Sequence, residues 1–139
     1  MVTETSAGGI VYKKENGNVV WLTVQHRRAR HWGFPKGHIG DTVANEQMED
    51  AALREVQEEG GIQAEIVNDT PVSTTYFYKR ERVLHKKTVH YFLMEYISGD
   101  TRDHDKEISE AKFVDEEELM KTLTYQNDKE AFEKVKQLL

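Results

Sequence analysis

The chain has no cysteine. That excludes disulfides, thiolate zinc sites, iron–sulfur ligation and a cysteine nucleophile together, and it fits a reducing compartment. Proline is scarce: only Pro35 and Pro71 punctuate the chain. There is no repeat, no low-complexity tract and no linker-like shift in composition. No stretch approaches the ~20 apolar residues of a membrane span. The opening Met-Val-Thr-Glu-Thr-Ser lacks the basic and apolar regions of a signal peptide. An excess of base is also missing: 25 Asp and Glu stand against 19 Lys and Arg, a net charge of −6, which disfavours a general nucleic-acid surface. The expectation is one soluble, cytoplasmic domain over residues 1–139, long enough to bury one real core.

What is present reads as intermixed strands and helices, so the fold class is α/β or α+β. Ala7–Tyr12 and Val19–Val24 are short apolar runs joined through Asn16-Gly17, a hairpin turn signal. Residues 30–44, rich in Gly, Pro and His, read as an irregular loop. Asn45–Gly60 is the clearest helix. Asn45 is placed to cap it, Gly60-Gly61 to stop it, and Met48, Ala52 and Val56 form a buried stripe with Ala51 and Leu53 beside it. Strands are expected at Glu65–Asn68, Val72–Arg80 and Thr88–Ile97. Val89–Met94 is so apolar that it belongs in the centre of a sheet. After a polar loop at Ser98–Lys106 come a strand at Ala111–Val114 and helices at Asp115–Leu123 and Asp128–Leu139. The last of these is expected to bury Ala131, Phe132, Val135, Leu138 and Leu139.

Charge is segregated along the chain. No acid lies between Glu15 and Asp41, a stretch that holds Arg27, Arg28, Arg30, Lys36, His26, His31 and His38. Residues 41–59 then carry Asp41, Glu46, Glu49, Asp50, Glu55, Glu58 and Glu59 against Arg54 alone, and residues 79–87 are basic again. A solvated acidic face is the ordinary explanation for such a run. The alternative is a phosphate site, with bases on phosphate oxygens and carboxylates on divalent cations.

The glutamates separate these readings. Glu55, Glu58 and Glu59 stand at i, i+3 and i+4, so a helix projects them from one face, where like charges repel by a few tenths of a kcal/mol per pair. Arg54 relieves part of this repulsion. A hard, oxygen-seeking cation such as Mg²⁺ or Mn²⁺ would relieve the rest; with no Cys ligand and no His-Glu-x-x-His pair, zinc is the poorer choice.

Lys36-Gly37-His38-Ile39, then Glu46, then Arg54-Glu55-Val56-Gln57-Glu58-Glu59-Gly60-Gly61-Ile62 resembles the Nudix box. That box is a Gly, five residues, a Glu, seven residues, then Arg-Glu-apolar-x-Glu-Glu-x-Gly-apolar. From Glu46 to Ile62 every defined position matches. The chain departs before that: eight residues, His38–Asn45, separate Gly37 from Glu46, and Gly40-Asp41-Thr42 stands where the family has a Glu-x-Gly pair. Loops accept such insertions at little entropic cost.

The resemblance implies a Nudix fold, a mixed sheet between helices with a loop–helix–loop motif. It also implies hydrolysis of a nucleoside diphosphate linked to another group, with Mg²⁺ or Mn²⁺. By resemblance, Glu58 and Glu59 are metal ligands, Glu55 is a ligand or the general base, and Arg54 orients them. The backbone carbonyl of Lys36 and the carboxylate of Glu107 complete the metal site. Trp32-Gly33-Phe34-Pro35-Lys36-Gly37-His38 and Lys87-Thr88-Val89-His90-Tyr91-Phe92 resemble runs in the asymmetric diadenosine tetraphosphate hydrolases. Arg27, Trp32, Lys36, His38, Lys87 and Tyr91 are the corresponding substrate-binding candidates, the bases for phosphate and the rings for a purine. The expected partner is a small nucleoside polyphosphate. Other Nudix substrates, or a non-catalytic nucleotide-binding regulator, are the alternatives.

Overall fold

The computed structural model describes residues 1–40 and 44–139. Asp41 and Thr42, which belong to the departure from the box, lie outside the described residues. The chain runs β1 (Val2–Glu15), β2 (Asn18–His26), β3 (Trp32–Gly33), β4 (Lys36–His38), α1 (Met48–Gly60), β5 (Ile62–Ile66), β6 (Val72–Arg80), β7 (Val83–Gly99), a 3₁₀ turn (Thr101–Asp103), β8 (Ile108–Val114), α2 (Glu116–Thr122) and α3 (Gln126–Lys136).

Among the described residues, one mixed sheet of eight strands organises the fold, in the order β3-β2-β1-β7-β5. Strand β4 pairs with β1, β6 with β7, and β8 with β2. Strands β1 and β7 run parallel from Val2↔His85 to Tyr12↔Glu95, and the other pairs are antiparallel. Because a strand turns successive side chains to opposite faces, the apolar run on β7 feeds two cores. Tyr91 and Leu93 join Ile10, Tyr12, Trp21 and Phe132 beneath α2 and α3. Phe92 and Met94 join Ala7, Val11, Leu22, Ala52 and Val56 beneath α1. Trp21 meets Phe132 edge-to-face at 4.8 Å, a geometry that adds ~0.5–1.5 kcal/mol beyond area burial.

Several local expectations are corrected. Asn45 does not cap α1: it sits in a left-handed turn at φ 60°, and the residue before the helix is Gln47, which makes no side-chain cap bond. The stop is as expected, with Gly61 at φ 75° donating its N–H to Gln57. Leu138 and Leu139 are 37% and 53% exposed, because α3 ends at Lys136 before its stripe reaches them. Strand β7 begins at Val83, so β6 and β7 form one long hairpin whose turn, Glu81-Arg82, has both residues at positive φ. Asp115 caps α2 by accepting from the Glu118 amide at 2.8 Å.

The seating of α1 depends on Gly9. A Cβ there would lie within 3 Å of Val56 Cγ2 and Met94 Sδ, so the helix rests directly on the β1 backbone. Gly9→Ala is expected to lower stability by about 1–3 kcal/mol through overpacking. Denaturant unfolding should report this as a lower midpoint with an unchanged slope.

Candidate functional site

Helix α1 presents its glutamates to strand β4. The carboxylate of Glu55 lies against the Cα of Gly37, where any Cβ would collide with it. Glu59 is 4% exposed and accepts the Lys36 amide N–H at 3.2 Å. Glu58 is more open and meets Arg54 Nη1 at 3.2 Å. Arg54 gathers the cluster. It donates to Glu55 at 2.8 Å, to Glu58, and through Nε and Nη2 to Glu46 at 2.8 and 3.0 Å. These bonds raise the guanidinium's affinity for its proton, that to Glu46 most of all, and they hold Glu46 below the ordinary carboxylate range. Glu46 thus ties the loop to the helix despite the insertion, also accepting the Gly40 amide at 3.3 Å.

Burial acts in the opposite sense on the other two carboxylates. It pushes Glu55 up against the pull of Arg54. It takes Glu59 to about 8, with the nearby charges of Glu55, Asp105 and Glu107 adding to the effect. Among the described residues, no three His, Asp or Glu side chains already converge to hold a metal ion, and Glu55 and Glu58 are bonded to Arg54. The donor chemistry nevertheless fits a hard cation: clustered carboxylate oxygens, two of them buried, carry more negative charge than one arginine offsets.

On the other face of the sheet, a cavity of about 620 Å³ opens between the β6–β7 hairpin and the start of α3. Tyr76 and Tyr125 supply aromatic surface, with His31 against Tyr125 at 5.4 Å. Lys36 and Lys87 bring positive charge, and Lys36 Nζ lies 5.6 Å from the Tyr76 ring. Burial lowers Lys87, and its neighbour Lys36 lowers it further. Asp128 lines the cavity and accepts from Tyr91 Oη at 3.0 Å. Lys36 therefore belongs to both halves of the site, with its amide on Glu59 and its ammonium in the cavity.

Four of the substrate-binding candidates have other positions. Tyr91 is a correction: it is fully buried and offers no face to a ligand. Trp32 does not line the cavity; its ring lies under Lys112 Nζ at 4.7 Å, and its amide donates to Thr124. Arg27 spends its guanidinium on the carbonyls of Lys106 and Ile108, fastening the loop before β8. That loop places Glu107 and Asp105 near Glu59. His38 Nε2 meets Glu4 at 3.0 Å. Sequence reasoning missed Tyr76, Tyr125, His31 and Asp128 as cavity residues. The aromatic run Tyr76-Phe77-Tyr78 was the available signal, but it does not show which face turns inward.

The model of the NUDIX domain matches residues 2–135. A Mycobacterium tuberculosis (strain CDC 1551 / Oshkosh) relative that carries the name of a mutator protein, MutT4, is 35% identical over 144 residues. That match takes in 99% of this chain and 56% of the relative, so the chain spans about half the relative's length. Among solved structures, the C. elegans Ap4A hydrolase is 27% identical with a TM-score of 0.73, covering 99% of this chain and 98% of that one. The NUDIX domain of Shewanella oneidensis NrtR, cocrystallised with ADP ribose, shares the fold at 15% identity and a TM-score of 0.67, over 99% and 87% of the two chains.

The strain at Glu59 is measurable. A carboxyl raised from 4.5 to about 8 stays protonated in the folded state after the unfolded chain has ionised, so wild-type stability falls as pH rises across that window. Metal-free Glu59→Gln should therefore melt higher than wild type at pH 8, and the gap should close as pH approaches 4.5. Calorimetry in chelator at the two pH values checks this, and equal melting temperatures at pH 8 would contradict it.

Proposed function

Given that the chain belongs to the Nudix family, we propose that it is a metal-dependent pyrophosphohydrolase that cleaves diadenosine tetraphosphate to ATP and AMP. The observation that carries this reading is the pairing of an aromatic, lysine-lined cavity with a buried carboxylate cluster, joined through Lys36. Nudix hydrolases generally use divalent ions, and the 27% likeness to an Ap4A hydrolase supports the substrate.

In this reading Glu58, Glu59, Glu107 and the Lys36 carbonyl would hold Mg²⁺ or Mn²⁺, with Glu55 either a further ligand or the general base. When bound, the ion supplies positive charge that offsets the phosphate oxygens. Tyr76 and Tyr125 take an adenine by stacking, a contact that tolerates other bases. Lys36 and Lys87 receive phosphate oxygens. Water attacks one phosphorus, the anhydride bond to the next phosphate breaks, and the water's proton passes to a glutamate of the cluster. Burial has raised the affinity of Glu55 for a proton, which supports it as the acceptor where it is not a ligand. Arg54 fixes the carboxylates, so catalysis here is mainly placement and charge neutralisation. The mutator-named relative favours a second reading, turnover of an oxidised nucleoside triphosphate.

Product chromatography with Mg²⁺ tests the proposal: equal amounts of ATP and AMP are expected. Two ADP would overturn the asymmetric cut, and brisk turnover of an oxidised triphosphate with none of the dinucleotide would select the second reading. Tyr76→Ala is expected to raise KM about tenfold while changing kcat little, since stacking grips the base without touching the reacting atoms.

A further inference from the structure

Strand β1 begins with side chains that are mostly exposed, Val2, Thr3 and Thr5, yet Glu4 between them is largely covered, its side chain 16% exposed. Its carboxylate collects donors from three other strands. Tyr78 of β6 donates its hydroxyl to Oε1. His85 Nδ1 of β7 lies 2.8 Å from the same oxygen, and His38 Nε2 of β4 lies 3.0 Å from Oε2. An ionised carboxylate only accepts, so both ring nitrogens carry their hydrogen toward it. The bonds from Tyr78 and His85 hold the carboxyl down at about 2. Tyr78 also stacks on His85, with centroids 4.8 Å apart and planes 16° from parallel.

The donors lead to the two halves of the site. Tyr78 lines the aromatic cavity beside Tyr76 and Lys87. His38 adjoins Gly37, on which the Glu55 carboxylate rests, and its carbonyl lies 3.5 Å from Arg54 Nη2. A path of polar contacts thus runs from the cavity wall through Tyr78, Glu4 and His38 to Arg54, and from Arg54 to Glu55 and Glu58. Glu4 neither lines the cavity nor touches the carboxylate cluster, but it stands opposite Lys87 across β1 and β7, and its charge acts on Lys87 and Tyr76 in the cavity wall. A largely covered carboxylate takes several donors to satisfy its two oxygens, and here each donor comes from a different strand.

We infer that Glu4 is a positioning residue whose carboxylate couples the cavity wall to strand β4 beneath the glutamate cluster, so that a nucleotide and a cation are seated by one shared support. The inference rests on the nucleotide reading of the cavity. Glu4→Gln keeps the shape but cannot accept from all three donors at once.

The test measures AMP binding by calorimetric titration and Mn²⁺ binding by electron paramagnetic resonance, both well below the melting temperature. Wild-type AMP binding tests the nucleotide reading, and the difference between wild type and variant tests the coupling. Glu4→Gln is expected to weaken both ligands about fivefold, within the usual range of site coupling. A lower melting temperature with both dissociation constants unchanged would reduce Glu4 to a structural role and overturn the inference. Tyr78→Phe, which removes only the hydroxyl on the cavity side, provides a second and milder probe. It should weaken Mn²⁺ binding about twofold when Glu4 is present and not at all in the Glu4→Gln background, since coupled residues give non-additive effects. No effect on Mn²⁺, or the same effect in both backgrounds, would break the path.

Discussion

Carboxyl groups pressed into a packed interior are the constraint on which the rest of this molecule turns. Glu55 and Glu59 lie on the buried side of α1, against backbone rather than water. Burying carboxylates without full compensation is costly. The chain answers with one arginine that touches three glutamates, one amide N–H and a glycine bare enough to let a carboxylate lie on its Cα. That leaves an attraction for positive charge at a fixed place. Loop closure by Glu46, the seating of α1 on Gly9 and the loop fastened by Arg27 all serve to keep that place fixed.

The sheet then supplies what one face could not. Helix α1 covers one side with its carboxylates, and α3 covers the other and leaves an aromatic cavity at its first turn. Strand β4, three residues long, is the short element where the two sides meet. Rigid strands around a small, hydrogen-bonded junction suit precise placement, because precision depends on supports that do not themselves rearrange.

The legible part of this protein was the part governed by spacing. Glutamates at i, i+3 and i+4 declare a shared helical face, and the nearly all-apolar run at Val89–Met94 declares a strand buried on both sides. The illegible part was governed by parity and by partners distant in sequence. Tyr91 and Tyr76 are both strand tyrosines, yet one is core and the other lines the cavity. The difference is set by α3 packing over the first and beginning beside the second. Asn45 has a good capping side chain, but the inserted loop arrives in a left-handed turn that carries it away from the helix start. Leu138 and Leu139 continue the helical stripe in sequence after the helix itself has stopped. Trp32 in a polar loop resembled a stacking platform, and a lysine from β8 covers it instead.

Lys36 performs two duties with separate chemical groups, its main-chain N–H on Glu59 and its side chain in the cavity. The first is indifferent to residue identity, since every amino acid except proline offers the same amide. The second depends wholly on the side chain. A change of residue here would thus alter what the cavity recognises while the carboxylates kept their support. Position 36 joins a main-chain contact that any residue but proline can keep to a side chain that shapes the cavity wall.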